Sequence, residues 1–292
     1  MEPARRPHVV CRTECPNRNQ FPEKSAMTNI HPTAVIEPGA KIGAGCVIGP
    51  YCVIGPQVSL GDAIVLKSHV AVAGRTVIGP RTQVFPFASL GHEPQDLKYK
   101  GEASELIVGA DCKIREGVTM NPGTQAGGLK TSVGDRCVFL AYSHVAHDCI
   151  IGNDVIFSNN VMLAGHCKVG DFAIVGGGAG VHQFVRIGHH AFIGAMSGIA
   201  NDVIPYGMAI GDNRAAHLSG LNVIGLKRRG FTSKEIHDLR QAYRLLFAQE
   251  GTLKERVEDV ASEFAALEHV AEILDFIRDG NDRPLCVPRG EG

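Results

Sequence analysis

The 292-residue chain has no tryptophan, no excess of charge of either sign and no long apolar run. Twenty-nine Lys and Arg face 30 Asp and Glu, so the formal net charge is −1. No global basic field therefore draws the protein to nucleic acid or to an anionic membrane, and any phosphate site must be local. No stretch approaches the roughly 20 apolar residues that span a bilayer, and residues 1–26 lack the apolar core of a secretory signal. These absences predict a cytoplasmic protein with no membrane span and no nucleic-acid partner. Apolar residues make up 44% of the chain, enough for a core, which excludes wholesale disorder. Against these shortages stand two surpluses. There are nine Cys, and 35 Gly, about 12% against a usual ~7%.

The surpluses follow from a period of six. From Ile30 the chain reads IHPTAV, IEPGAK, IGAGCV, IGPYCV, IGPQVS and on through VFPFAS, ten hexads without a slip. The pattern returns at Val108 for three hexads and at Val133 for twelve more, giving 25. Position one is Ile, Leu, Val, Met or Phe in all 25, position two is Gly in 12, and position five is always Ala, Cys, Ser, Thr, Val or Ile. Neither a heptad nor a 3.6-residue period fits, which excludes a coiled coil and a helical solenoid. A β-solenoid does fit: one long aliphatic and one small residue per side fill a narrow interior, and Gly is expected to permit the corners. Cys46, Cys52, Cys112, Cys137, Cys149 and Cys167 all occupy position five, so they are read as small buried hydrophobes, not as redox or metal groups.

These hexads resemble those of the hexapeptide-repeat acyltransferases. The resemblance implies a mainly β fold, a left-handed parallel β-helix in which three hexads make one triangular coil. About eight coils are expected, with no room for a ligand inside. Two stretches break the period, 91–107 (GHEPQDLKYKGEASELI) and 126–132 (AGGLKTS), and read as loops leaving the coil over a β-helix of 27–213. The first is the stronger candidate for a functional loop; a neutral insertion accounts for the second nearly as well. After Pro205 the period changes. Thr232 and Glu235, then Thr252 and Glu255, mark capping boxes ahead of apolar residues at helical spacing, so 214–292 is expected to be a helical C-terminal domain. Residues 1–26 carry no period and are expected to be a disordered extension or a consequence of start-site choice ahead of Met27.

Stacking at i and i+18 assembles one patch. His147, Gly165 and Gln183 form a column; Asp148, His166 and Phe184 flank it on one side, Ala146, Ala164 and His182 on the other, with His144 three residues upstream. A His beside a carboxylate is what a general base near neutral pH requires. Asp148 follows His147 directly, however, and strand neighbours point opposite ways, so the pair needs corner geometry. The Gly165 N–H, free of any side chain, is suited to a developing oxyanion. Two other readings stand beside this one: clustered surface imidazoles without function, and a metal site on the His144-x-x-His147 spacing. His189-His190 reads as surface.

A narrower resemblance rests on IHPTAVIEPGA, FASLGHEPQDLKYKGE, IREGVT, HVAHDC, NNVMLAGH, VHQF and GLNVIGLKRRGF, and covers residues 28 to about 278. On these the chain is similar to the UDP-N-acetylglucosamine O-acyltransferase family, which performs the first step of lipid A synthesis. The resemblance implies that His147 is the general base for the glucosamine 3-hydroxyl, that Asp148 orients it and that the Gly165 amide holds the oxyanion. It implies substrate contacts from Asp96, Lys98, His144, His166, His182 and Gln183, diphosphate contacts from Asn222 and Arg228, and an acyl-length role for Ala195. Acyl carrier protein and UDP-N-acetylglucosamine are the implied partners, with no cofactor beyond the carrier thioester, no metal, and a homotrimer in which loop 91–107 reaches a neighbouring subunit. The chain departs from many relatives at Met120-Asn121-Pro122, where they carry Ile-His-Arg. An N-acyltransferase of later glucosamine chemistry would need a further N-terminal domain. The alternatives of other classes are a zinc lyase like the gamma-class carbonic anhydrases, which however bring an H-x4-H pair that is lacking here, and a non-catalytic scaffold.

Overall fold

Each hexad folds as a two-residue strand and a turn, and the strand sorts its residues by size. In Val47–Ile48 the last residue of one hexad faces out, 43% exposed, and the first of the next faces in, 2% exposed. Repeating this gives a computed structural model of a left-handed parallel β-helix followed by helices. It describes residues 27–211, 216–264, 266–280 and 283–289; the extension 1–26, with Cys11 and Cys15, lies outside the described residues, as does the 213/214 boundary.

Three sheets form the prism, of eleven, nine and eight strands, beginning at Asn29–Ile30, Val35–Ile36 and Lys41–Ile42. Partners stand three hexads apart along most of the length, as in Val35↔Val53 and Val53↔Ala71. The nine strands of the second face make the prism slightly longer than eight coils. All six cysteines of position five are buried, and each shares its S–H with a carbonyl on the next coil, behaving as a small core residue.

The corners are not turned where position two places its glycines. The left-handed residue of each turn sits at position four and is usually not Gly: Tyr51, Arg81, Asp111, Arg136, Tyr142, Asp148, His166 and Phe184 all have φ near +60°. Glycine at position two answers a different demand, close approach between coils. A Cβ on Gly43 would lie 2.5 Å from the Gly61 carbonyl, and one on Gly79 2.5 Å from that of Gly109.

The interruptions are placed differently from the sequence reading, the second opening already after Met120, the last residue paired ahead of it. Gln83↔Lys113 spans five hexads, two more than a coil, and Lys113↔Val138 exceeds a coil by one hexad and a single residue. Residues 105–107 and 130–132, expected in loops, belong to the four-residue strands Glu105–Val108 and Lys130–Val133, which pair with each other, the first also with Arg75–Ile78. ELIV and KTSV alternate inward and outward with period two, burying Leu106 and Thr131 completely beside Thr76.

The C-terminal part also differs from the expected all-helical 214–292. His217–Leu221 pairs antiparallel with Gly207–Ile210 and extends the first sheet. Helices follow: α1 (Val223–Arg228), α2 (Ser233–Leu246), α3 (Leu253–Phe264) and α4 (Glu268–Arg278). Thr232 and Glu235 form the complete capping box expected of them, and Thr252 and Glu255 repeat its bonds. The segment 283–289 returns to the prism, where Cys286 is buried and donates its N–H to the Asp202 carbonyl. His189 and His190, read as surface, lie half-buried under the helices: His190 stacks between Phe172 and Tyr206, and the Tyr206 hydroxyl donates to Glu272 on α4.

Candidate active site

The second face carries a groove of about 790 Å³ over the coils of His144–Val145, Met162–Leu163, Gly180–Val181 and Gly198–Ile199. His144, His147, Gly165, His182 and Gln183 line it together, as the column arithmetic requires. Its floor is low because Gly180 and Gly198 follow Met162 in the outward column.

Asp148 is the residue whose place the strand pattern left open. Its φ of +60° puts it on the third corner of the prism, so its carboxylate swings back to its own neighbour, and Oδ2 lies 2.8 Å from His147 Nδ1. The carboxylate is enclosed, its side chain 1% exposed, and takes bonds from the Thr124 hydroxyl and N–H as well. With Nδ1 turned to Asp148, the imidazole presents Nε2 as the free basic atom. His147 itself is buried, 7% exposed, more deeply than an outward position implies, because Gly165 stacks over its ring; a Cβ there would lie 2.5 Å from His147 Cε1. The Gly165 N–H donates to no partner among the described residues, and the residue lines the groove beside His147.

Two neighbouring imidazoles, His144 and His166, are shifted by burial. Burial pushes His144 below the ordinary histidine range, helped by the nearness of His147, and the His144 Nδ1 sits 2.7 Å from the Thr119 hydroxyl. Burial likewise lowers His166, against the pull of Asp148. His166 does not line the groove. It packs edge-on to His147 and stacks flat on Phe184 at 4.4 Å, buttressing the base from the corner.

Loop residues complete one wall. Gln95 lines the groove, and Asn121 Nδ2 donates to the carbonyls of His92 and Glu93, pinning the first insertion to the coil before His144. Asp96 accepts from the Lys98 N–H, and its charge reaches His166, while the Lys98 side chain is solvent-exposed. Within the described residues the loop thus folds onto its own chain. Ala195 is exposed on the turn before Gly198–Ile199, at the edge of the groove and not in it.

Asn222 and Arg228 are elsewhere. They line a separate cavity of about 720 Å³ on the first face, together with Arg229 and Arg240, under apolar walls that include Phe192 and Ile224. The Asn222 side chain caps α1 and bonds the His190 carbonyl, and the Arg229 guanidinium lies 4.2 Å over the Phe172 ring. Sequence reasoning missed Gln95, Thr119, Thr124 and Arg240, and noted Asn121 only as a departure from relatives: none stands in a hexad column with His147, and only Gln95 lay in a stretch that breaks the period.

His147, Asp148 and His166 place one ligand atom each within 4.8 Å of one another, a set a metal could use. Both Asp148 oxygens are already committed to hydrogen-bond donors, His147 turns its Nδ1 to that carboxylate, and His144, half of the expected ligand pair, is bonded to Thr119 instead. The arrangement suits proton transfer at Nε2 better than metal capture.

A hexapeptide prism with a buried His-Asp pair and a clear backbone N–H at one groove defines the class, a hexapeptide-repeat acyltransferase. The bacterial transferase hexapeptide family matches residues 27–62 and 130–165, and domain 2 of the UDP-N-acetylglucosamine O-acyltransferase family matches 202–286. An acyl-[acyl-carrier-protein]–UDP-N-acetylglucosamine O-acyltransferase from Methylobacterium radiotolerans is 68% identical over 207 residues, 71% of this chain and 75% of that protein. One from Paracoccus denitrificans is 55% identical over 208 residues, 70% of this chain and 77% of its own length. The solved UDP-N-acetylglucosamine acyltransferase from Campylobacter jejuni superposes with a TM-score of 0.84 at 38% identity, covering 89% of this chain and all of that one, 100%. The chain belongs to the UDP-N-acetylglucosamine O-acyltransferase family. Nothing in these likenesses favours the zinc-lyase alternative.

Proposed function

We propose that the protein transfers a 3-hydroxyacyl group from acyl carrier protein to the 3-hydroxyl of UDP-N-acetylglucosamine, the first step of lipid A biosynthesis, with His147 as the base. The observation that carries the chemistry is the 2.8 Å contact between His147 Nδ1 and Asp148, which leaves Nε2 free at the groove. Nε2 takes the hydroxyl proton as the sugar oxygen attacks the thioester carbonyl. The tetrahedral oxyanion is held by the Gly165 N–H, the C–S bond breaks, and the proton passes from His147 to the departing thiolate. No cofactor enters; the carrier thioester supplies the acyl group. His144, His182 and Gln183, with Asp96 and Lys98 from the loop, are assigned to the sugar nucleotide, His166 to the support of His147, and the low floor over Gly180 and Gly198, edged by Ala195, to the acyl chain. Arg228 and Asn222 take the diphosphate, for which a guanidinium is the bidentate partner. Because their cavity and the groove lie on different faces, the reading includes a homotrimer in which adjacent prisms share each site. Among the described residues no helix is long and apolar enough to cross a membrane, and the cytoplasm, where carrier proteins are charged, is the assigned location.

His147→Ala is expected to abolish turnover while nucleotide binding persists. A near-normal rate in that variant, measured with hydroxyacyl carrier protein and UDP-N-acetylglucosamine, rejects His147 as base; stoichiometric zinc with loss of activity to chelators rejects the metal-free mechanism.

A further inference from the structure

The second interruption of the hexad pattern is attached to the site from behind. Thr124, 3% exposed, sends its hydroxyl to Asp148 Oδ2 at 2.6 Å and its N–H to Oδ1 at 2.8 Å. The Asp148 N–H in turn donates to the Thr131 hydroxyl at 2.8 Å, on the strand that ends the same insertion. Between these two threonines the chain packs Gly127 onto the carboxylate, where a Cβ would lie 2.0 Å from Asp148 Cγ. An Asp in the left-handed region at a corner, with a carboxylate free to rotate, has two oxygens to offer its neighbour and several rotamers to offer them in. Two parallel bonds from one residue remove that choice: Oδ1 is taken by the backbone, and Oδ2 is left as the atom facing His147 Nδ1.

We propose that Thr124 is a positioning residue for the His147–Asp148 pair. It acts through Asp148, fixing the carboxylate so that His147 keeps its proton on Nδ1 and its basic atom toward the groove; it touches no substrate. The inference rests on the His147 reading above, and it gives the seven-residue insertion a function in place of a neutral surface excursion.

The test compares Thr124→Val, which removes the hydroxyl at constant shape, with Thr124→Ser, which keeps it. In Thr124→Val, kcat is expected to fall about tenfold to a hundredfold, by analogy with the loss seen when the groups that orient metal-bound histidines are removed, with KM for UDP-N-acetylglucosamine unchanged within about twofold. Thr124→Ser is expected to recover most of the lost kcat, and Thr124→Val to add little in an Asp148→Ala background, because the two act as one unit. A wild-type kcat in Thr124→Val, a loss confined to KM, a serine variant no better than valine, or a full additive loss on top of Asp148→Ala each overturns the proposal. If the valine variant does not fold, Thr124→Ala against Thr124→Ser gives the same comparison. His147→Ala run in parallel separates the two ideas: an active His147→Ala removes the base reading itself, whereas a silent Thr124→Val beside an inactive His147→Ala removes only the role of Thr124.

Discussion

At the scale of single residues, the active pair is defined as much by what is missing beside it as by what is present. Gly165 sits over the His147 ring so closely that a methyl group would displace it. Gly165→Ala keeps the N–H but is expected to lower kcat on the order of a hundredfold, the effect of moving a reacting group by about an ångström. Steady-state kinetics on the folded variant check this, and an unchanged kcat would show that the ring tolerates the shift. Arg228→Ala is expected chiefly to raise KM for the nucleotide; a pure turnover defect contradicts its phosphate role. The column of His147, Gly165 and Gln183 was legible in the sequence because stacking once every three hexads is arithmetic. The grip of Thr124 on Asp148 was not, since it crosses the interruption at an offset of 24 residues that no repeat predicts. Nor was the pairing of two sequence neighbours, which depends on a φ of +60° in a residue other than glycine.

At the scale of elements, two local features make independent predictions. The box that opens α2 is complete, with Thr232 accepting from the Glu235 N–H and the Glu235 carboxylate accepting from the Thr232 N–H. Thr232→Ala is expected to lower stability by about 1 kcal/mol, read from chemical denaturation, with little effect on catalysis. The junction between prism and helices is expected to respond to pH. Burial pushes His190 down to about 4, assisted by His189 and Arg229, and lowers His189 against the pull of Glu272. Tyr206, Phe231, His269 and Glu272 crowd the same junction. An unfolded histidine titrates near 6.5, so as pH falls from there toward 4 the unfolded chain binds protons that the folded one excludes, and stability declines. His190→Phe keeps the stack and removes the titration, so its stability is expected to vary less between pH 7.5 and pH 5; an undiminished dependence would assign the effect elsewhere. The capping boxes were legible from residue spacing, but the junction was not, because a His-His pair at positions three and four of a hexad looks outward until helices cover it.

At the scale of the whole molecule, the repeat gave away the architecture, whereas the groove and the arginine cavity lie on different faces of one prism and only the proposed homotrimer joins them. Mixed oligomers of His147→Ala and Arg228→Ala subunits are therefore expected to turn over faster, at limiting nucleotide, than either variant alone, because some interfaces regain an intact pair. Failure of mixing to restore activity would place both residues in the site of one chain. The prism also behaves like a screw thread. Val35, Val53 and Ala71 follow one another at single-turn spacing on the second face, far from His147, and each turn advances the axis by one strand separation, ~4.8 Å. Removing one full turn there shortens the thread without rotating anything beyond it, whereas removing one residue fewer turns every later side chain to the wrong face. Length along the axis is thus a quantity that can change in whole steps while the chemistry stays in phase. Deleting 35–52, a whole turn, and deleting only 35–51, each followed by circular dichroism and turnover, measures how strictly the thread is cut.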